Sequence, residues 1–122
     1  MATRYSPAIV TSGLVLCLDA ANPKSYPGTG TTWTDLSGNN INFTTFNTPT
    51  FNSNNLGYFT WNGTSTYATA PENSLFNTET LTLECWTRTS TVNQNGFFFE
   101  KGNVNTQYAI FFESPNIKLI LM

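Results

Sequence analysis

The stretch TWTDLSGNN, Thr32 to Asn40, brings together a tryptophan, one carboxylate, a serine, a glycine and two asparagines. Side chains of these kinds can hold a calcium ion, stack against a sugar, or turn the chain between two strands. Each of the three interpretations makes its own demand on the residues around the stretch.

The turn interpretation rests on Asp35. An aspartate can accept a hydrogen bond from a backbone N–H a little further along the chain, and we expect Asp35 to accept from Ser37 and Gly38. Gly38 supplies the positive φ that such a turn needs. Trp33 and Leu36 would then pack beneath the loop. The stretch is therefore predicted to be a rigid turn.

A calcium site is the second interpretation. Calcium takes about six to eight oxygen ligands, usually with more than one carboxylate, and the stretch itself supplies only Asp35. The nearest further carboxylate in the sequence is Asp19. Because a single carboxylate is fewer than calcium usually requires, the turn is favoured over the calcium site. Calcium is the one cofactor that the sequence leaves open.

The composition limits what the rest of the chain can be. In 122 residues there are seven Asp and Glu, five Lys and Arg, no His, 21 Thr and 16 Asn. Nucleic acids and anionic membranes attract clustered basic residues, and neither is an expected partner because the basic residues are scattered: Arg4, Lys24, Arg88, Lys101 and Lys118. Threonine favours strands and asparagine favours turns, which predicts an all-β protein.

Short apolar or alternating runs between turn-prone residues predict the strands. LVLCLD (14–19) is typical of a buried strand, and TLTLECWTRTS (80–90) alternates apolar and polar positions. Weak strands or a long ordered loop are predicted within 41–55, and two strands or one bent strand around Gly63 in GYFTWNG and STYATA (57–70). Strands are predicted in NGFFFEKGN, QYAIFFES and NIKLILM (95–122), and one helical turn in PENSLFN (71–77). The prediction is an antiparallel β-sandwich over residues 13–122, preceded by an arm over residues 1–12.

Two further features bear on where the protein is found. The opening residues MATRYSPAIVTSG lack the apolar run of a signal peptide, and no apolar run approaches the length of a membrane span. We therefore expect a soluble protein that is not exported by a signal peptide. Cys17 and Cys85 lie in strand-like runs, and two buried thiols are favoured over a disulfide, which requires neighbouring strands.

Four segments in the same order carry a family resemblance. GLVLCLDAANPKSYPGTGTTWTDLSGNN (13–40) resembles the opening of the concanavalin A-like, laminin-G-like jelly-roll domains of bacterial surface proteins and phage virion proteins. GYFTWNGTSTYATA (57–70) resembles their F-x-G-x-x-x-Y strand pair. LTLECWTRTS (81–90) is similar to their central strand with a Trp, and FFFEKGN (97–103) to their strand ending in Lys-Gly-Asn. The resemblance covers about Gly13 to Met122.

The resemblance implies a laminin-G-like jelly roll with Trp86 in its core. Relatives of this fold often hold a structural calcium between loops like TWTDLSGNN, so the resemblance also makes Asp19, Asp35 and Asn39 the candidate metal ligands. The chain departs from the family in two ways: NGTSTY (62–67) lacks acidic residues, and complete domains of this type run well beyond this length. We expect the jelly roll to be incomplete at its C-terminal end, where the chain stops inside the apolar run KLILM. Exposed strand edges are normally covered or charged. The predicted assembly edge, paired with another subunit, is therefore Lys118, Leu119, Ile120 and Leu121.

Carbohydrate binding is the alternative function. Sandwiches that bind sugars stack them on Trp or Tyr and bond their hydroxyls through Asn, so glycans are the alternative partner. The candidate residues are Tyr26, Trp33, Asn39 and Asn40, and Trp61 and Tyr67 also lie near Asn-rich loops. Large aromatic side chains in a small core are usually buried, so carbohydrate binding is the alternative to the structural role.

No catalytic residue is predicted. Glycanases of concanavalin A-like fold need two carboxylates on one strand face, whereas Glu79 and Glu84 would point to opposite faces of a regular strand. Without histidine there is no Ser-His-Asp or Cys-His pair. We therefore do not expect an enzyme.

The resemblance implies a non-enzymatic structural protein of a phage virion surface, made in the host cytoplasm. Such a protein would decorate a capsid or form part of a tail or fibre. Its partners would be other virion proteins and further copies of itself, as a homo-oligomer. The alternative is a lectin-like adhesion module.

Overall fold

The computed structural model describes residues 9–89, 95–102, 107–113 and 116–121, without the side chains of 119–121. Over these residues the chain is all-β, with eight strands in three antiparallel sheets and two short turns of 3-10 helix. The all-β class and the helical turn within residues 71–77 are confirmed, the turn as Ser74–Phe76. The chain divides into two compact units, the first ending at Asn73 and the second beginning at Ser74. The single domain over 13–122 stays a prediction, and residues 1–8 of the predicted arm lie outside the described residues.

The first unit contains two small sheets. The first sheet has the order β1 (Thr32–Trp33), β2 (Phe43–Phe46), β5 (Tyr67–Thr69), and in the second sheet β3 (Thr50–Asn52) pairs with β4 (Tyr58–Thr60). All neighbouring strands are antiparallel. The strands are short because Gly, Asn and Pro interrupt the threonine- and aromatic-rich runs. Of the alternatives left open by the sequence, strands rather than a long loop form within 41–55, and two separate strands rather than one bent strand form within 57–70.

A cluster of aromatic rings joins the two sheets of this unit. Phe51 and Phe59 are cross-strand partners on β3 and β4, with ring centroids 5.7 Å apart. The ring of Phe59 lies 4.9 Å from that of Trp33 on β1 and 4.6 Å from that of Tyr26. Trp61 contacts both Phe59 and Trp33. Tilted and edge-to-face contacts are the geometry that aromatic rings prefer, so the cluster stabilises the packing of β1 against β3 and β4.

The second unit contains a meander of three longer strands. β6 (Gly96–Lys101), β7 (Tyr108–Glu113) and β8 (Asn116–Leu121) lie side by side in that order and pair antiparallel. The central strand β7 contributes the buried residues Tyr108 and Ala109. All three strands lie where the sequence predicted them.

The predicted strand at residues 14–19 is wrong. This segment is half-buried for the most part, but it pairs with no strand among the described residues. Its backbone bonds instead to side chains of the TWTDLSGNN turn: the Cys17 N–H donates to Asp35, and the Val15 carbonyl accepts from Ser37. These bonds satisfy the polar backbone groups that a strand ladder would otherwise satisfy.

The predicted strand at residues 80–90 is also wrong over its described part, 80–89, and Ser90 lies outside the described residues. No described strand pairs with this segment, so no ladder forms. Trp86 is 95% exposed, which contradicts its predicted place in the core. Cys17 is half-buried and Cys85 is exposed, and both are free thiols. The prediction of two buried thiols is therefore wrong for Cys85.

Candidate functional site

The carboxylate of Asp35 is the centre of the TWTDLSGNN turn. Its Oδ1 accepts from the N–H groups of Ser37 at 2.8 Å and Cys17 at 3.0 Å. Its Oδ2 accepts from the Ser37 hydroxyl at 2.7 Å and from the Ile41 N–H at 3.1 Å. A carboxylate offers about four lone-pair sites, so these bonds satisfy the buried side chain completely.

The predicted turn is therefore confirmed in its main features. Asp35 accepts from Ser37, and Gly38 has a φ of +95°. The remaining backbone donors on Asp35 are Cys17 and Ile41, whereas the sequence predicted Gly38. Cys17 is remote in sequence, so spacing alone gave no signal for its bond.

These contacts set the ionisation of two groups. Burial by itself would raise the pKa of Asp35, but the hydrogen bonds from Ser37, Cys17 and Ile41 outweigh it and hold that pKa below its ordinary value. Burial, and then the charges of Asp19 and Asp35, raise the pKa of the Cys17 thiol. At neutral pH the turn therefore contains an ionised carboxylate beside a protonated, weakly reactive thiol.

The three predicted calcium ligands are engaged within the chain. Asp35 is saturated by its four donors, and Asp19 Oδ1 accepts from a backbone N–H two residues on, at 2.9 Å. The Asn39 amide donates to the carbonyls of Leu14 and Val15. Over the described residues there is no group of three or more Cys, Asp or Glu that could hold a metal ion. The oxygens of Asp35 are therefore already used by donors within the chain, and calcium binding by Asp19 and Asn39 stays a prediction.

The aromatic residues predicted to bind sugar at this turn are used in packing. Tyr26 is 6% exposed, and its hydroxyl donates to the Gly30 carbonyl at 2.9 Å. Trp33 is half-buried in the aromatic cluster, and its indole N–H is buried without an acceptor in the described part of the chain. Asn40 is exposed, with a φ of +57°. The buried ring of Tyr26 leaves no open face on which a sugar could stack.

A different pair of aromatic rings is exposed in the first unit. Phe46 on β2 and Tyr67 on β5 lie directly opposite each other, and their rings are stacked with centroids 5.0 Å apart and an interplanar angle of 13°. Phe46 is 38% and Tyr67 51% exposed. Sequence analysis placed Tyr67 near an Asn-rich loop but missed Phe46. In FTTF both faces of the strand carry an aromatic and a threonine, so alternation alone did not show which face is open.

The loop that precedes Tyr67 is held by Asn62. Its Oδ1 accepts from the N–H groups of Thr64, Ser65 and Thr66 at 3.0, 2.9 and 3.0 Å, and its Nδ2 donates to the Ser65 hydroxyl at 2.9 Å. Such local bonds stabilise a turn without regular secondary structure. Tyr67 therefore begins its strand from a fixed loop.

The predicted assembly edge, Lys118 to Leu121, lies on β8. This is an outer strand of its sheet: it pairs with β7 on one side, and no described strand pairs with its other side. The Lys118 ammonium forms an ion pair with Glu113 of β7, and Ile117 is 69% exposed. Lys118 to Leu121 therefore lie on an outer strand of their sheet, and their pairing with another subunit stays a prediction.

Glu79 and Glu84, weighed as a carboxylate pair, are both exposed in a segment without a strand. The argument that they face opposite sides of a strand therefore does not apply to this structure. The expectation that the protein is not an enzyme stays a prediction.

No family model matches the chain, and no curated protein or solved structure matches it significantly. The resemblance to laminin-G-like domains therefore stays a prediction from the sequence motifs. None of the helices in the described ranges is long and apolar enough to cross a bilayer.

Proposed function

We propose that this chain is a non-enzymatic structural protein of a phage virion surface, in a capsid decoration or in a tail or fibre. It is made in the host cytoplasm and assembles with other virion proteins and with copies of itself. The proposed fold is a laminin-G-like jelly roll. The antiparallel all-β structure and the aromatic contacts between the two sheets of the first unit support this fold.

The observation that carries the proposal is the open edge of β8. All six of its residues run in register with β7, and no described strand pairs with its other side. Unpaired N–H and C=O groups at such an edge favour pairing with another chain unless charge, proline or a bulge prevents it. The charge of Lys118 is paired with Glu113, and Ile117 is exposed. These features leave β8 suited to pairing between subunits.

The test of assembly uses two matched substitutions on the outer strands of the same sheet. Ile117→Lys on β8 adds a charge to the proposed interface, and Phe97→Lys on β6 adds it to the opposite edge. We expect the unmodified chain and Phe97→Lys to be homo-oligomers by light scattering after size exclusion, and Ile117→Lys to be a monomer. Mass spectrometry of purified phage particles should also find the chain among the virion proteins.

Several results would count against this proposal. If the unmodified chain is a monomer, β8 does not pair between subunits. Dissociation of both variants would show that the effect is not specific to β8, and circular dichroism would separate that outcome from loss of folding. Absence of the chain from purified particles would argue against a place in the virion.

A second candidate function is that of a carbohydrate-binding module. The observation that favours it is the exposed, stacked pair Phe46 and Tyr67, rather than the residues Tyr26 and Trp33 near the turn.

A further inference from the structure

The outer side of the first sheet presents a flat surface of two ranks of side chains. Strand pairing aligns three threonines across β1, β2 and β5, and in the next rank it aligns the aromatic pair of β2 and β5. The intervening residue Thr45 is buried on the other side of the sheet. All five side chains on the outer side are exposed, and we call this surface the Thr–aromatic face: Thr32, Thr44, Thr69, Phe46 and Tyr67.

All residues of the Thr–aromatic face except Thr32 lie in a stretch of the chain that has no charged residue. From Leu36 to Pro71 there is no Asp, Glu, Lys or Arg, and this stretch contains all of β2 and β5. An anionic ligand would need Lys or Arg, and a cationic ligand would need a carboxylate. The chemistry of the face therefore matches an uncharged ligand.

The ring of Tyr67 has one face against Phe46 and is half exposed. Its strand β5 is an outer strand of the sheet, so no described strand covers its far side. The threonine rank is two residues along each strand, roughly 7 Å away at the rise of a β-strand. A pyranose has an apolar C–H face bordered by hydroxyls, which suits an aromatic ring beside hydroxyl groups that donate and accept.

Hydrogen bonds outside the strands fix the position of the aromatic pair. Asn62 holds the loop that leads into Tyr67, and the Asn47 amide, directly after Phe46, donates to the Ser65 carbonyl at 2.7 Å. The Thr69 hydroxyl makes only a long bond of 3.4 Å to the next carbonyl, so little is lost when it turns to a ligand. A surface that is already ordered loses little conformational entropy on binding.

We propose that the Thr–aromatic face binds an uncharged saccharide. A pyranose ring stacks on the free face of Tyr67, and a hydroxyl of the saccharide bonds to the hydroxyl of Thr69 on the same strand. This inference is independent of assembly through β8, because the two surfaces lie on different sheets.

The experiment uses the full chain and a panel of oligosaccharides of glucose, galactose, mannose and N-acetylglucosamine, with sialylated and sulfated oligosaccharides as anionic probes. We expect the chain to bind a member of the uncharged set, measured by calorimetry. Tyr67→Ala should weaken binding by at least about tenfold, whereas Tyr67→Phe should retain it because the ring remains. Tyr58→Ala on β4 is the matched control, since Tyr58 is a tyrosine of similar exposure, 43%, on the other sheet.

The result that supports the proposal is binding of an uncharged oligosaccharide that Tyr67→Ala reduces and Tyr58→Ala does not. Binding that is equal in both variants, binding of anionic probes alone, or no binding to any probe would each overturn it. Thermal unfolding of the variants checks that a loss of binding is not a loss of folding. The oligomeric state of Ile117→Lys is measured separately, so failure here leaves the assembly proposal to its own test.

Discussion

At the scale of single residues, Asp35 does the most to organise the first unit. Its buried carboxylate accepts from residues on both sides of the turn, including Cys17, whose segment was predicted to be a strand. Buried donors that lose such an acceptor pay the full cost of desolvation. The stability of this region should therefore depend strongly on one side chain.

We predict that Asp35→Asn destabilises the protein. The amide keeps one acceptor oxygen but turns an NH₂ group toward backbone N–H donors, which leaves buried donors without a partner. Each such loss costs about 1–3 kcal/mol, so the free energy of unfolding in urea should fall by about 2 kcal/mol. Asp19→Asn is the matched control: Asp19 is exposed, and we expect a change below about 0.5 kcal/mol. Equal losses in the two variants would contradict the role given to Asp35.

The pKa of Asp35 predicts the pH at which this contribution disappears. Its folded-state pKa is lower than the value of about 3.9 in the unfolded chain. The ionised carboxylate therefore contributes its full stabilisation at a pH above the unfolded-state pKa. This contribution is lost as the pH falls through the folded-state pKa. The difference in unfolding free energy between the unmodified chain and Asp35→Asn should shrink below about pH 4. A difference that stays constant into acid would show that the carboxylate charge is not responsible.

At the scale of the structural element, the connection from β2 to β3 contains an unfavourable residue. Asn47 and Thr48 both have positive φ, +57° and +51°. Positive φ is the left-handed region, which glycine adopts freely and asparagine more readily than other residues. Because Thr is β-branched, it is poorly suited to this region of φ.

We predict that Thr48→Gly stabilises the protein. Relief of a left-handed conformation is worth about 1–2 kcal/mol, and part of this is offset by the greater freedom of glycine in the unfolded chain. The free energy of unfolding should rise by about 0.5–1 kcal/mol. Thr60→Gly, within β4, should lower it by a similar amount, since glycine weakens a strand. A loss of stability in Thr48→Gly would mean that the Thr48 side chain makes a contribution larger than its strain.

The longest strands that the sequence predicted are those whose partners are adjacent in the chain. β6, β7 and β8 form a meander in which each strand pairs with the next, so alternation and turn residues were sufficient. The segments at 14–19 and 80–89 have the same kind of pattern, but neither pairs with a strand in the described part of the chain. A hydrophobic pattern indicates that a segment can be a strand, and only a partner makes it one. The exposure of Trp86 follows from the same cause.

The candidate sites also show that local contacts were predictable from the sequence and tertiary contacts were not. Asp35 was predictable as a turn residue because an Asx turn is local, whereas its bond to Cys17 depends on tertiary structure. The predicted aromatic site failed at Tyr26 because the sequence does not tell a buried ring from an exposed one. Phe46 could be recognised only once its pairing with Tyr67 was known.

At the scale of the whole molecule, the scarcity of charge predicts how assembly responds to salt. The chain has a net charge of −2, and 10% of its residues are charged. Pairing through the backbone of β8 does not depend on ion pairs between subunits. The proposed homo-oligomer should therefore keep its mass from low salt to about 1 M, where the Debye length is about 3 Å. Dissociation at high salt would indicate an interface held by charge.

The hydrogen bonds to Asp35 do the work of a covalent cross-link between distant parts of the chain. They join the segment around Cys17 to Ile41 across a long loop, which is the connection that a disulfide would make in a small secreted protein. Here the cysteine contributes its backbone amide, and its sulfur stays free. A cross-link of this kind is indifferent to reductants and oxidants, so it forms equally well in a reducing cell and in air. It is weakened instead by acid, which protonates the Asp35 carboxylate that holds it together.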